Sequence, residues 1–303
     1  MLRRPERLLC ENLTNKTNKL NSGLDLLKWG REGAPPRGIP VKDRTQAKTI
    51  SVIHESPSIV VAGRNRCSNF ECNQYFIASK ETKEGLFVDA CDDWFDDWGA
   101  FVQASGFTAK YCFLTHCHVD NVINLGTLVQ LFPSLKVAWS LNDMFWVNSF
   151  QRACERYERH EMKNVVLPIQ LRRPGDILLS SASNRTSTFL QLGSTLLFYV
   201  FTPGHSPGHF MLSAPQEKLL FSGDLIFYNA IGRVDIPYGQ SDVLAQSLRV
   251  LEHFPDNTVL LPGHGRLTTL GRERRHNRGL QRVYELMKVG KQVPRVGFNS
   301  GFL

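Results

Sequence analysis

The chain has 303 residues, 42% of them hydrophobic and 21% charged, with a net charge of +8. That length suffices for a full core in one or two domains, and no apolar run approaches the roughly eighteen residues of a membrane-crossing helix. The charge is uneven: residues 1–50 hold eleven Lys/Arg against five Asp/Glu, whereas the other 253 residues carry a net +2. The folded part is therefore close to neutral, and neither a nucleic-acid surface nor membrane attachment is expected.

Residues 1–48 differ from the rest. Arg3, Arg4 and Arg7 open the chain, Leu9, Leu13, Leu20, Leu24 and Leu27 recur at roughly helical spacing, and residues 30–40 hold three prolines and three glycines. This predicts a basic, disordered extension or an organelle transit segment, with Glu6 and Glu11 counting against the latter. The expected location is the cytoplasm, or a mitochondrion or other organelle if the segment is a transit peptide. A catalytic domain is expected over 49–291 and a short tail over 292–303. The seven cysteines are odd in number and scattered without a Cys-x-x-Cys pair, which fits a reducing compartment better than a disulfide framework.

From residue 49 the pattern becomes regular. Short strands are predicted over 50–53, 59–62, 74–79 and 86–89, separated by polar turns. Trp94, Phe95, Trp98, Phe101 and Val102 fit one face of a helix packed on a sheet. A strand over 111–114, a helix over 122–132 ending before Pro133, and a strand over 137–139 follow. Residues 141–173 are charged and irregular, with helical patches around 144–157, and are expected to cover one rim of the active site. Strands over 196–201, 210–213, 219–221 and 258–261 come next, with a helix over 243–254 between the last two. A helix over 272–289 closes the series. Two halves, each of strands followed by helices, predict an α+β protein of two sheets packed face to face with helices outside.

The chemistry gathers after the 111–114 strand, in Thr115-His116-Cys117-His118-Val119-Asp120-Asn121. Two imidazoles one residue apart, with a carboxylate two residues on, are three strong metal ligands within five residues. Thr202-Pro203-Gly204-His205, Ser222-Gly223-Asp224 and Pro262-Gly263-His264 each add one ligand just after an apolar run, where active sites of layered folds gather. A divalent metal needs several donor atoms at about 2.0–2.2 Å converging from different directions. Side chains alternate along an extended chain, so His116 and His118 share a face and can chelate one ion, with Cys117 turned away as a buried thiol. His205 can supply a third nitrogen. Asp224, with two oxygens, can bridge to a second ion, to which Asp120 and His264 then belong. A water held by such ions loses a proton near neutral pH and becomes a strong nucleophile, which is the machinery of a hydrolase.

These residues resemble the metallo-β-lactamase-fold hydrolases, whose pattern is His-x-His-x-Asp-His followed by His, Asp and His. The resemblance spans roughly residues 50–285. Residues 202–209, 221–224, 232–235 and 262–265 follow the order of glyoxalase II-like thioesterases, and 268–277 is similar to their short, bacterial-type branch. The resemblance implies a four-layer αββα fold of two packed mixed sheets with helices outside. It implies hydrolysis of a small, glutathione-linked thioester, S-(2-hydroxyacyl)glutathione, by a metal-bound hydroxide. His116, His118 and His205 would hold the first metal, Asp120 and His264 the second, with Asp224 bridging. Asp120 would be the catalytic carboxylate that orients the nucleophile, and Asp89 would support the site from behind the ligands.

Three departures qualify the match. Asn121 stands where the family has a histidine of the second metal position, and an amide oxygen is a poorer zinc ligand than imidazole. One Zn2+ is therefore expected to bind tightly and a second weakly or not at all. Val88-Asp89-Ala90-Cys91 lacks the usual Gly-rich turn. The 39 residues after His264 leave no room for the helical domain with which longer glyoxalase II enzymes grip glutathione. His209 is expected to fix a loop, and Arg233 and Asp235 to pair and brace the loop after Asp224. Arg272, Arg274 and Arg275 either reach a glutathione carboxylate or form a solvated helix face; His54, His160, His253 and His276 are read as surface or structural. Two alternatives stay open. An iron-dependent persulfide dioxygenase of the same fold shares the Thr-His-Cys-His-x-Asp wording and needs one Fe2+ on His116, His205 and Asp224. A scaffold that lost its chemistry at Asn121 is the other.

Overall fold

The computed structural model describes residues 49–68, 70–159, 166–171, 176–179 and 189–288. The expected extension over 1–48 with its candidate transit segment, the tail over 292–303, and His160 lie outside the described residues.

The first sheet runs in sequence order through β1 (Ser51–Glu55), β2 (Ile59–Arg64), β3 (Gln74–Ser79), β4 (Glu84–Val88), β5 (Thr108–Phe113), β6 (Lys136–Ser140) and β7 (Ile177–Leu179). β1 to β4 form an antiparallel meander, and β4 to β7 pair in parallel. Parallel neighbours need crossovers. These are α1 (Phe95–Ala104) between β4 and β5, and α2 (Val119–Val122) with α3 (Leu125–Leu131) between β5 and β6. After β6 come α4 (Met144–Asn148) and α5 (Phe150–Arg156).

The second sheet contains β8 (Phe189–Leu192), β9 (Thr195–Phe201), β10 (Phe210–Ala214), β11 (Leu219–Gly223), β14 (Val259–Pro262) and β15 (Thr268–Thr269), in the order β15-β14-β11-β10-β9-β8. A separate hairpin, β12 (Ile226–Phe227) and β13 (Ala230–Ile231), follows β11. The parallel pair β11 and β14 is bridged by α6 (Ser241–Leu248), and α7 (Leu270–His276) and α8 (Arg278–Lys288) follow β15.

Residue alternation makes the layers. In β3, Tyr75 and Ile77 enter the core between the sheets while Phe76 and Ala78 face the helices. Leu86 and Val88 likewise point between the sheets, with Phe87 on the other side against Phe95 and Trp98. The second sheet repeats this. Phe210, Leu212, Leu219, Phe221 and Leu261 fill the intersheet core, whereas Met211, Leu220 and Leu260 pack with Leu244, Leu248, Leu270 and Leu280 of the outer helices. Both sheets are thus apolar on both faces, and the protein has the four-layer αββα architecture of two mixed sheets.

Several boundaries differ from the sequence expectation. The helix expected over 122–132 is two, α2 and α3, and starts at Val119. The one expected over 243–254 is α6 followed by a 3-10 turn at Arg249–His253. The one expected over 272–289 is broken at Asn277, whose side chain donates to the carbonyls of Phe227 and Ala230 and accepts the Leu280 N–H. That amide ends one helix and caps the next while tying both to the β12–β13 hairpin.

Candidate metal centre

The residues singled out from sequence come together in loops at the C-terminal ends of β5, β9, β11 and β14. His116, Cys117 and His118 lie in the extended stretch between β5 and α2, not on the strand itself. Alternation persists there: Cys117 enters the core beside Val119 and Val122, while the His116 and His118 rings stand 4.5 Å apart between centroids. His205, from the loop after β9, lies 4.9 Å from His116 and 4.6 Å from His118. One nitrogen from each of the three rings falls within 4.8 Å of the others.

The three imidazoles are set as lone-pair donors. The Arg233 carbonyl lies 2.9 Å from His205 Nδ1, which fixes the proton on that atom and leaves Nε2 as an acceptor. His205 Nε2 then faces His118 Nδ1 at 3.0 Å. Burial lowers His116 well below the ordinary imidazole range and holds His118 down at about 3, with the neighbouring histidines adding to both. Three ring nitrogens turned on one point form a donor set that suits a cation.

Beside this group lies a second. Asp120 Oδ2 is 3.3 Å from His264 Nε2, and Cys72, just ahead of β3, brings its sulfur into the same cluster. Asp224 joins the two groups, its Oδ2 being 3.3 Å from His205 Nε2 and 3.7 Å from His264 Nε2. Asp224 Oδ1 is buried with no hydrogen-bond partner, as is His118 Nε2. Orphaned buried polar atoms cost about 1–3 kcal/mol each, and a carboxylate left half-satisfied between two imidazoles fits a site built to hold cations. Burial works against the Asp120 charge, yet the His264 hydrogen bond and charge hold it at about 2. His264 shows the converse: burial lowers it, but Cys72, Asp224 and Asp120 raise it well above the ordinary value. Asn121, buried at the edge of both groups, turns its amide to His116 Nε2 at 3.0 Å and to Asp120 Oδ1 at 3.4 Å.

The supporting residues form a tight frame. Asp89 accepts the Thr115 N–H at 2.8 Å and the Thr115 hydroxyl at 3.0 Å, and that hydroxyl meets His116 Nδ1 at 3.0 Å. Burial raises Asp89 well above the ordinary carboxylate range. His209 Nε2 accepts the Asp224 N–H at 3.0 Å, and its Nδ1 lies 2.8 Å from the Thr202 hydroxyl. Arg233 and Asp235 pair through two hydrogen bonds of 2.8 and 3.0 Å. Arg274 turns away from the site to Asp256 and to the carbonyls of Leu251 and Phe254, and Arg275 also lies near Asp256. Arg272 instead stacks 3.8 Å over the Tyr228 ring in the β12–β13 hairpin, next to Phe227, whose ring is 6.0 Å from His264.

Sequence reasoning missed two residues. Asp143 is fully buried and accepts the Cys117 N–H at 2.8 Å, the Gly208 N–H at 2.6 Å and the Ser206 hydroxyl at 3.0 Å, joining the loops that carry the histidines. It sits in the segment read only as an irregular rim. Cys72 passed as one scattered thiol among seven.

A family model described as the metallo-beta-lactamase superfamily matches residues 72–264. The chain is 31% identical over 180 residues to the hydroxyacylglutathione hydrolase GloC of Haemophilus influenzae, covering 58% of this chain and 78% of that protein. Among solved structures it is similar to the BLEG-1 B3 metallo-beta-lactamase, at 27% identity and a TM-score of 0.56 over 69% of this chain and 93% of that one. It is also similar to TTHA1623 in a di-iron-bound form, at 28% identity and a TM-score of 0.53, covering 69% and 94%.

Proposed function

The chain belongs to the metallo-beta-lactamase superfamily, whose fold implies divalent metal binding, and from that premise we propose that it hydrolyses thioesters of the hydroxyacylglutathione type. The observation that carries the reading is Asp120 with His264 standing beside the three-imidazole group, Asp224 Oδ2 lying between them. His116, His118 and His205 would hold one ion, and Asp120 and His264 a second with Asp224 in common. Zinc is the expected metal and iron the alternative. Bound there, divalent cations supply Lewis acidity and bring the pKa of water toward neutrality.

The chain's own residues supply the rest. Asp120 would orient the attacking water through its carboxylate and take its proton. Asp89, through Thr115, and the Arg233 carbonyl keep His116 and His205 oriented. The leaving group is a thiolate whose conjugate thiol has a pKa of about 8.5, so it needs little acid assistance. Trp146 packs 4.4 Å from His118, and the exposed Phe145 and Tyr238 rings lie 4.5 Å apart next to it. That aromatic rim suits an acyl group. On the hairpin side, Arg272 over Tyr228 borders a cleft of about 450 Å³ lined also by Asn229, His276 and Arg278, and guanidinium pairs well with the carboxylates of a glutathione carrier.

The resemblance to a hydroxyacylglutathione hydrolase supports the substrate class. Metal-loaded protein is expected to release free thiol from S-lactoylglutathione, and His116→Ala to abolish the release. Metal-loaded protein that leaves this thioester intact at micromolar enzyme would overturn the reading. Oxygen uptake with glutathione persulfide in place of thiol release would move the chain to the oxygen-dependent reading.

A further inference from the structure

We propose that Cys72 is a ligand of the second metal position, its thiolate completing with Asp120 and His264 the set that Asn121 leaves short. The Cys72 sulfur, a carboxylate oxygen of Asp120 and a ring nitrogen of His264 all lie within 4.8 Å of one another. The sulfur is 4.0 Å from Asp120 Oδ2, the same oxygen that lies 3.3 Å from His264 Nε2. Sulfur, nitrogen and oxygen donors on one tetrahedral zinc lie about 3.4–3.6 Å from each other, given bonds of about 2.0–2.3 Å. The sulfur–oxygen and oxygen–nitrogen separations are within a few tenths of an ångström of those values, and the sulfur and the ring nitrogen lie within 4.8 Å of each other.

The backbone holds Cys72 in that place. Cys72 and His264 form an antiparallel β-bridge, and the Asn73 N–H donates to the Gly263 carbonyl at 2.7 Å. The Asn73 side chain donates to the carbonyls of Pro262 and Gly265, at 2.9 Å each. The strand start that carries the thiol is thus zipped to the loop that carries His264. Asn121 is committed elsewhere, with its amide against His116 and Asp120 Oδ1. Cys67 and Cys91 cluster nearby, 3.7 Å apart, but burial pushes Cys67 up to about 12 and Cys91 well above its ordinary value. Among the described residues, Cys72 alone of the cysteines falls in a metal-ligand group.

Coordination forms a metal–sulfur bond and releases the thiol proton to solvent. A thiolate in place of a neutral imidazole adds one negative charge and makes the position softer, favouring Zn2+ over hard cations such as Mg2+. The inference rests on the reading of the cleft as a metal centre, and not on the thioester substrate.

Cobalt titration of metal-free full-length protein, followed by absorption and by metal analysis, tests it. Two equivalents of Co2+ are expected, the thiolate-to-cobalt charge-transfer band in the near ultraviolet growing only with the weaker one. Cys72→Ser is expected to lose the band and one of the two equivalents, with unchanged far-ultraviolet circular dichroism, while Cys91→Ser keeps both. The unsubstituted protein decides the matter even if Cys72→Ser fails to fold: two bound ions without a charge-transfer band, or a single ion without one, overturns the proposal. A band that survives in Cys72→Ser overturns it as well. If no cobalt binds at all, the metal-centre reading falls with it, whereas intact binding without thioesterase activity touches only the proposed substrate.

Discussion

His209 is fully buried, and its two nitrogens are both engaged: Nδ1 with the Thr202 hydroxyl, Nε2 as acceptor for the Asp224 N–H. Burial, reinforced by His205 and His118, holds it well below the ordinary imidazole range. A folded-state pKa below the unfolded value of about 6.5 means that the unfolded chain takes up a proton on acidification that the folded protein refuses. The stabilisation linked to this ring is therefore complete at neutral pH and is lost progressively as pH falls below about 6.5. His209→Gln keeps an acceptor in reach and removes the proton. Metal-free protein denatured in urea at pH 7.5 and pH 5.5 should show the comparison cleanly, because every other titrating group is shared. The unsubstituted protein should lose about 1 kcal/mol more stability than His209→Gln between those two values, one pH unit below 6.5 corresponding to about 1.4 kcal/mol. Equal losses would mean that the ring titrates normally. At this scale the ligand types were readable because His, Asp and His recur after apolar runs. Asp143 and Cys72 were not, since their partners lie 63 residues away at Ser206 and 48 residues away at Asp120, and nothing local marks such a contact.

Among the elements, β11 carries the sharpest constraint. It ends at Gly223 with φ +49°, and the chain turns there to bring Asp224 between the two groups of ligands. A Cβ on Gly223 would come within 2.6 Å of His209 Nε2 and 2.9 Å of Thr115 Cβ, so a side chain conflicts both with the left-handed backbone and with the residues that frame the site. Gly223→Ala is expected to cost about 1–3 kcal/mol from backbone strain and to weaken metal binding by about 10–100-fold through displaced support of the ligands. Urea denaturation and competition with a metal indicator measure the two effects; a variant with normal stability and affinity would show that the turn relaxes freely. The same strands show what periodicity conveys. β2, β3, β9, β10, β11 and β14 were visible as apolar runs because both faces of each sheet are covered. β12, β13 and β15 were not, being two residues long, too short for any period. Helix breaks at Ile123–Asn124 and Asn277 escaped for a different reason: the apolar stripe continues across them, and the break is made by tertiary hydrogen bonds to the Ala90, Phe227 and Ala230 carbonyls.

For the molecule as a whole, the proposed metal centre lies where the two sheets meet. His116, His118 and Asp120 follow β5 of the first sheet, and Cys72 precedes β3 of the same sheet. His205, Asp224 and His264 follow β9, β11 and β14 of the second. Between the sheets the joint is apolar, with Tyr75, Ile77, Phe113, Phe210 and Phe221 in contact across it. Its open end is polar and holds His118 Nε2 and Asp224 Oδ1, both buried without a hydrogen-bond partner. An ion bound there cross-links loops of both sheets and binds the folded state only, because the unfolded chain scatters its ligands over nearly two hundred positions. Ligand linkage then adds about 2.7 kcal/mol at a free metal concentration one hundred times Kd. In a domain of this size each kcal/mol moves Tm by about 2–4 °C, so chelation should lower Tm by about 5–10 °C and re-addition of Zn2+ should restore it. His205→Ala removes a proposed ligand supplied by the second sheet, and its Tm should respond to chelator by less than half as much. A Tm that ignores chelator in the unsubstituted protein would show that the loops are held by the apolar joint alone, and that the convergence of ligands at its open end contributes nothing to holding the sheets together.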